Sequence, residues 1–206
     1  MQIHLFRHGQ FGPDDRKGSH TYFDPELSSL GRKQAEALGK RLRAYYPLDI
    51  VYTSDLRRAF QTATIATRSF DVELIADSRF REIYRGVCEF RPMDEIKMAY
   101  PEFYAAWARQ ETDFRYPNGE TGVEVWSRAS QAIAEIIDKG HEHVAIVTHG
   151  GLIMTVLCGY LGLDFGKRFR FCVDFCSLST LEYNRASGRW RILRVTDSAH
   201  LEGLHE

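Results

Sequence analysis

The chain has 206 residues, 44% of them hydrophobic, which is typical of a globular domain that buries a substantial core. Its 27 Lys and Arg residues nearly balance 28 Asp and Glu residues, which argues against nucleic acid or an anionic membrane as a partner. Because no apolar run is long enough to cross a membrane and no signal-peptide pattern opens the sequence, we expect a cytoplasmic protein.

The first half of the chain alternates short apolar runs with amphipathic segments. The pattern predicts strands over 3–6, 49–53 and 72–75. Ser28 is placed to cap a first helix that ends before Pro47, and Ser54 to cap a second helix over 56–69. The apolar face of the first helix is predicted to contain Ala35, Leu38, Leu42 and Tyr45.

The second half continues this alternation. Aromatic residues at helical spacing fill 90–118, where Pro101 breaks or restarts the helix. Thr121 and Glu124 match a capping box. The helix that follows is predicted to bury Val123, Trp126, Ala129, Ile133 and Ile136. A strand over 143–147, a helix over 152–161 and a hairpin over 176–183 and 190–195 complete the chain.

Alternating strands and helices indicate an α/β fold. We expect a three-layer sandwich, with a mostly parallel central sheet, helices on both faces and an antiparallel edge hairpin. The length favours a single domain over 1–206, with 90–118 as a helical cap insertion.

Polar residues follow three of the predicted strands. Arg7 and His8 end the first, Arg57 and Arg58 follow the second closely, and His149 ends a later one. Ligands of such sheets bind beyond the carboxyl ends of the strands. Two arginines at the start of a helix oppose the helix dipole, and a bound anion would explain them.

These residues lie in segments that resemble the histidine phosphatase superfamily, which includes the phosphoglycerate mutases. The Arg-His-Gly motif at 7–9 is weak alone, but further matches follow in the family's order. They are the segments 27–35, 52–63, 81–89, 117–121 and 147–151.

The resemblance implies a phosphomonoester hydrolase that needs no metal or cofactor. It implies that His8 is the nucleophile, in a neutral tautomer fixed through a backbone carbonyl. Arg7 and Arg58 match the phosphate-binding arginines, His149 the second histidine, and Glu82 the acid/base carboxylate. Gly150, at the start of a helix, and Gln10 are further expected substrate-binding residues.

Neighbouring charged residues have simpler interpretations. We expect Arg57 to be a solvated surface residue and Glu89 to order its loop. The charged run at 14–20 is expected to be solvated, and Phe90 stands where the family often has glycine. Cys172 and Cys176 have no second ligand pair at suitable spacing, so no metal site is expected.

The sequence favours hydrolysis over mutase activity, because the Glu-Ser and Trp-Asn residues typical of mutases are absent after 7–9 and the central insertion is short. The expected partner is a small phosphorylated substrate. A phosphoglycerate mutase-type transferase and a non-catalytic phospho-ligand-binding protein remain alternatives. The sequence does not identify the natural substrate. It does not fix the oligomeric state either, for which a homodimer is one option.

Overall fold

The structure is a computed structural model that describes residues 1–12, 24–89 and 91–204. The charged run at 14–20 and Phe90 lie outside the described residues. Within the described ranges, no helix has the length and apolar character needed to span a bilayer.

A six-stranded mixed sheet forms the centre of the fold. Its strands are β1 (Gln2–Arg7), β2 (Ile50–Thr53), β3 (Glu73–Ala76), β4 (His143–Thr148), β5 (Leu178–Asn184) and β6 (Arg189–Asp197). Their order is β3-β2-β4-β1-β5-β6. The first four strands are parallel to one another, β5 pairs antiparallel with β1, and β6 pairs antiparallel with β5. The predicted fold class, including the edge hairpin, is confirmed.

Helices cover both faces of this sheet. They are α1 (Ser29–Tyr45), α2 (Arg57–Thr67), α3 (Met93–Ala99), α4 (Pro101–Arg109), α5 (Gly122–Asp138) and α6 (Gly150–Leu161). Alternate residues of β4 show the two layers, since Ile146 packs in a core with α5 and α6, and Val147 in a core with α1 and α2. This alternation follows from the two-residue period of a strand.

The predicted N-terminal caps of two helices are confirmed. The Ser28 side chain accepts a hydrogen bond from Gly31 N, and Thr121 with Glu124 forms the expected capping box. Pro101 is the first residue of α4, so it restarts a helix as expected.

Three predictions at helix ends are wrong. Tyr45 is 76% exposed, because the chain leaves α1 there and Tyr46 enters the core instead. Val123 faces solvent in the first turn of α5, and Val125 is the valine that is buried there. Ser54 does not cap α2, whose N-cap residue is Leu56.

Candidate active site

The site lies where three neighbouring parallel strands end. His8 follows β1, Ser54 follows β2 and His149 follows β4. Two main-chain hydrogen bonds extend the sheet into the site, from His8 N to Thr148 O and from Ser54 N to Val147 O, both 2.9 Å. These bonds fix the direction in which each segment leaves the sheet.

The His8 ring is buried and its tautomer is defined by its neighbours. Nδ1 lies 2.8 Å from the carbonyl oxygen of Gly9, which can only accept, so Nδ1 carries the proton. Nε2 lies 3.2 Å from Nε of Arg58, which can only donate. His8 therefore presents an Nε2 lone pair, and the expectation of a fixing backbone carbonyl is confirmed.

The turn after β1 is held by close main-chain packing. Gly9 N donates to Oγ1 of Thr62 at 3.0 Å. A Cβ at Gly9 would lie 2.6 Å from the carbonyl oxygen of Gly31, so only glycine fits there. The position of the imidazole is thus tied to both α1 and α2.

Burial and positive charge favour the neutral form of both histidines. Burial, then Arg58 and Arg7, hold the pKa of His8 well below its usual value of 6.5. Burial and the same arginines, together with His8, lower the pKa of His149 as well. The two rings meet edge to face with centroids 5.0 Å apart.

His149 is anchored through one nitrogen. Nε2 lies 2.8 Å from the Ser54 hydroxyl, which accepts from Leu56 N at 3.2 Å and can donate its own proton to Nε2. The buried Nδ1 has no hydrogen-bond partner among the described residues. An unpaired buried nitrogen beside His8 calls for an explanation, and a ligand oxygen supplies one.

The two arginines approach His8 from different elements. Arg58, in the first turn of α2, is almost completely buried. Arg7 donates from Nη1 to the Val173 carbonyl at 2.6 Å, while its buried Nε has no partner within the described ranges. Arg57 is exposed and lies 3.4 Å from Glu26, as expected of a surface residue.

Glu82 is buried against the start of α6. Its Oε1 accepts from Ile83 N at 2.9 Å and Leu152 N at 3.1 Å, and its Oε2 accepts from Gly151 N at 3.0 Å. The carboxylate thus occupies N–H groups of a helix end that were expected to face an anion directly. Burial lowers the pKa of Arg7 and Arg58. The charge of Glu82 acts against this and raises the pKa of both, more than any other neighbouring charge does.

The remaining predicted residues have structural partners. The Gln10 side-chain oxygen accepts from the Ser28 hydroxyl at 2.6 Å. A Cβ at Gly150 would lie 3.4 Å from Arg7 Nε, so the main chain passes close to that guanidinium. Glu89 is buried and accepts from Arg85 N at 3.0 Å, as expected of a residue that orders its loop.

Two aromatic residues at the site were not predicted. Phe11 and Phe175 lie 5.7 and 5.6 Å from the His8 ring, and the Arg7 guanidinium stacks 3.9 Å above Phe175. Phe175 lies outside any periodic segment, so no pattern singled it out. In the described part of the chain, no cluster of three or more His, Cys, Asp or Glu side chains could hold a metal ion.

The sequence also matches a known protein family. The family model described as "Histidine phosphatase superfamily (branch 1)" matches residues 3–198. The chain belongs to this superfamily. The predicted family is confirmed, as is the prediction of a phosphoglycerate mutase-like enzyme of the histidine phosphatase type.

Relatives of this chain are named for different reactions. Phosphoserine phosphatase 1 of Hydrogenobacter thermophilus is 28% identical over 202 residues, covering 98% of this chain and 94% of its own. The probable phosphoglycerate mutase GpmB of Klebsiella pneumoniae is 30% identical over 211 residues, covering 98% and 95%. One relative is named a phosphatase and the other a mutase, so these names do not decide which reaction this chain catalyses.

A solved structure has the same fold as this chain and has been observed with small anions bound. Mycobacterial glucosyl-3-phosphoglycerate phosphatase superposes with a TM-score of 0.81 at 29% identity, covering 96% of this chain and 99% of its own. Complexes of that phosphatase with VO3 and with inorganic phosphate are known. Small phosphate-like anions are therefore ligands of a structural neighbour.

Proposed function

We propose that the chain is a metal-independent phosphomonoester hydrolase that forms a phosphohistidine intermediate on His8 Nε2. One observation carries the proposal: a buried, neutral imidazole whose Nδ1–H is bound to Gly9 O directs the Nε2 lone pair toward Arg58. A neutral imidazole nitrogen beside fixed positive charge is suited to attack a phosphoryl group.

The positive groups supply stabilisation of the transferring phosphoryl oxygens. Arg58 Nε, which contacts His8 Nε2, would transfer its hydrogen bond to a phosphoryl oxygen when substrate enters. Arg7 Nε and His149 Nδ1, both buried and without partners in the described ranges, are the two other groups placed to bind these oxygens. Such preorganised groups stabilise charge without reorganising during the reaction.

Glu82 is proposed to protonate the leaving alkoxide and then to deprotonate the attacking water. Oε1 already accepts two main-chain hydrogen bonds, whereas Oε2 accepts one. The exchangeable proton therefore belongs on Oε2, which keeps a free lone pair for it.

The substrate class is a small phosphorylated metabolite whose non-phosphate part contacts Phe11 and Phe175. Both rings lie beside His8, and they meet each other edge to face at 6.0 Å. The pocket wall next to the nucleophile is thus partly apolar, which suits a phosphate ester with a carbon skeleton. Residues 90–118, which contain α3 and α4, are proposed to form the cap over this pocket.

The direct test is release of inorganic phosphate from p-nitrophenyl phosphate and a phosphomonoester panel, with chelator present. Wild type should turn over, and alkaline quenching should show one phosphoryl group on a peptide containing His8. His8→Ala should abolish both signals, whereas His4→Gln, a matched change at a buried histidine of β1, should keep them. Full turnover by His8→Ala would refute the mechanism.

Mutase activity is the second candidate, because relatives such as GpmB of Klebsiella pneumoniae have that name. The assay is conversion of 3-phosphoglycerate in the presence of its bisphosphate. Isomerisation that exceeds phosphate release would establish a mutase, whereas phosphate release alone supports the hydrolase.

A further inference from the structure

Arg128, on α5, donates hydrogen bonds to the main chain that carries Glu82. Its Nη1 donates to the carbonyl oxygens of Arg79 at 2.7 Å and Arg81 at 2.8 Å, and its Nη2 to that of Glu82 at 3.1 Å. Three carbonyls of one short segment therefore point at a single guanidinium. The segment begins in a 3-10 helix over Ser78–Phe80, and Arg81 and Glu82, which follow it, lie outside any helix or strand.

Glu120 completes this arrangement. Its carboxylate accepts from Arg128 Nε at 2.9 Å and Nη2 at 3.1 Å, and its Oε2 also accepts from Tyr84 N at 2.8 Å. The pair therefore holds the chain on both sides of Glu82. The N–H groups at the start of α6 bind the Glu82 carboxylate itself, so its position depends on both its main chain and these groups.

The chemistry of the site requires arginine. A guanidinium has five N–H donors in a rigid plane, and Arg128 uses all of them in the contacts above. Lysine has three donors on one nitrogen and cannot reach the same carbonyls together. The Arg128 and Glu120 side chains are only 20% and 24% exposed. Water therefore cannot replace these contacts without a loss of free energy.

We propose that Arg128 and Glu120 are positioning residues that set the location of the Glu82 carboxylate for proton transfer. This inference rests on the proposed acid/base function of Glu82. If it holds, loosening the segment harms proton transfer to a poor leaving group much more than phosphoryl transfer from an ester whose leaving group needs little protonation.

The test compares kcat/KM for glycerol phosphate, an alkyl ester, with that for p-nitrophenyl phosphate. This parameter reports formation of the phosphoenzyme, so water attack on the intermediate does not mask the difference. Arg128→Met should lower the value for the alkyl ester about 100-fold and for the aryl ester about threefold or less, as expected for an acid displaced by about 1 Å. Equal losses on both esters would show a merely structural role and overturn the proposal.

Arg115→Met is the matched control. Arg115 also pairs with a glutamate, Glu124, and donates to a carbonyl, that of Gly119, but it does not touch the segment that carries Glu82. It should leave the ratio between the two esters unchanged. If Arg128→Met fails to fold, Glu120→Gln and Arg128→Lys should show the same selective loss, and near-wild-type alkyl-ester activity in both would overturn the inference.

Glu82→Gln separates this inference from the proposed function. A selective loss on the alkyl ester in Glu82→Gln but not in the Arg128 and Glu120 variants leaves the function intact and refutes the positioning role. No selectivity in Glu82→Gln itself would refute Glu82 as the acid.

Discussion

Replacing Gly151 with alanine should displace Glu82 with little other change to the site. A Cβ at this position would overlap Oε1 of Glu82 and would lie 2.9 Å from Ile83 Cγ2 and 3.1 Å from Glu82 Cδ. Carbon atoms normally keep about 3.5–4.0 Å apart, so the carboxylate must move by roughly 0.5–1 Å. The hydrogen bonds from Gly151 N and Leu152 N to the carboxylate would be lost or lengthened.

The size of the effect follows from that displacement. A misplacement of about 1 Å can cost about 100-fold in rate, so kcat/KM for an alkyl phosphate should fall by roughly that factor. The overpacking itself should cost about 1–3 kcal/mol of stability, partly offset by the better helix propensity of alanine. Steady-state kinetics and thermal unfolding measure the two effects separately.

Gly159→Ala is the control for overpacking on the same helix. Its Cβ would lie 2.6 Å from Trp126 Cδ2, in a contact that does not involve Glu82. It should therefore lower stability by a similar amount and leave kcat/KM within about threefold of wild type. Alkyl-ester activity of Gly151→Ala equal to that of Gly159→Ala would refute this account of Glu82.

Three further predictions concern other parts of the molecule. Burial lowers the pKa of His4 from 6.5 to about 4, so the unfolded chain binds more protons between these values; about 3 kcal/mol of stability should be lost as pH falls through that window, and His4→Gln should flatten the loss in pH-dependent denaturation. Ser54→Ala leaves Nε2 of His149 without its 2.8 Å partner, so it should cost about 1–3 kcal/mol of stability and weaken competitive inhibition by phosphate; unchanged phosphate inhibition would contradict the anchoring. Phe175→Leu removes the ring beneath Arg7, which is worth about 0.5–2 kcal/mol, so KM should rise about 2- to 30-fold with kcat nearly constant; a fall in kcat alone would argue against it.

Features that depend on neighbouring residues in the sequence were predictable. Ser28 and Thr121 cap their helices through bonds to residues three positions later, and the sequence pattern alone indicates both. The parallel sheet follows from strand and helix alternation, and it predicts that His8 and His149 lie at one edge.

Features that depend on packing between distant segments were not predictable. Ser54 has the sequence context of a cap, but its hydroxyl bonds to His149, ninety-five positions away. Glu82 is buried because the start of α6 offers its N–H groups, which no local pattern reveals. Phe175 reaches His8 only through the path of the chain between α6 and β5.

The position of β1 in the sheet has a consequence for biosynthesis. This strand, which leads into His8, is hydrogen-bonded on one side to β4 and on the other to β5, beginning with the pairs Gln2–His143 and Gln2–Glu182. During synthesis β1 therefore lacks both neighbours until β4 is made and lacks one until β5 is made, with apolar Ile3, Leu5 and Phe6 still uncovered. The nascent chain is exposed to misassociation throughout that interval. The strand that leads into His8 has both of its neighbours only when β5 pairs with it.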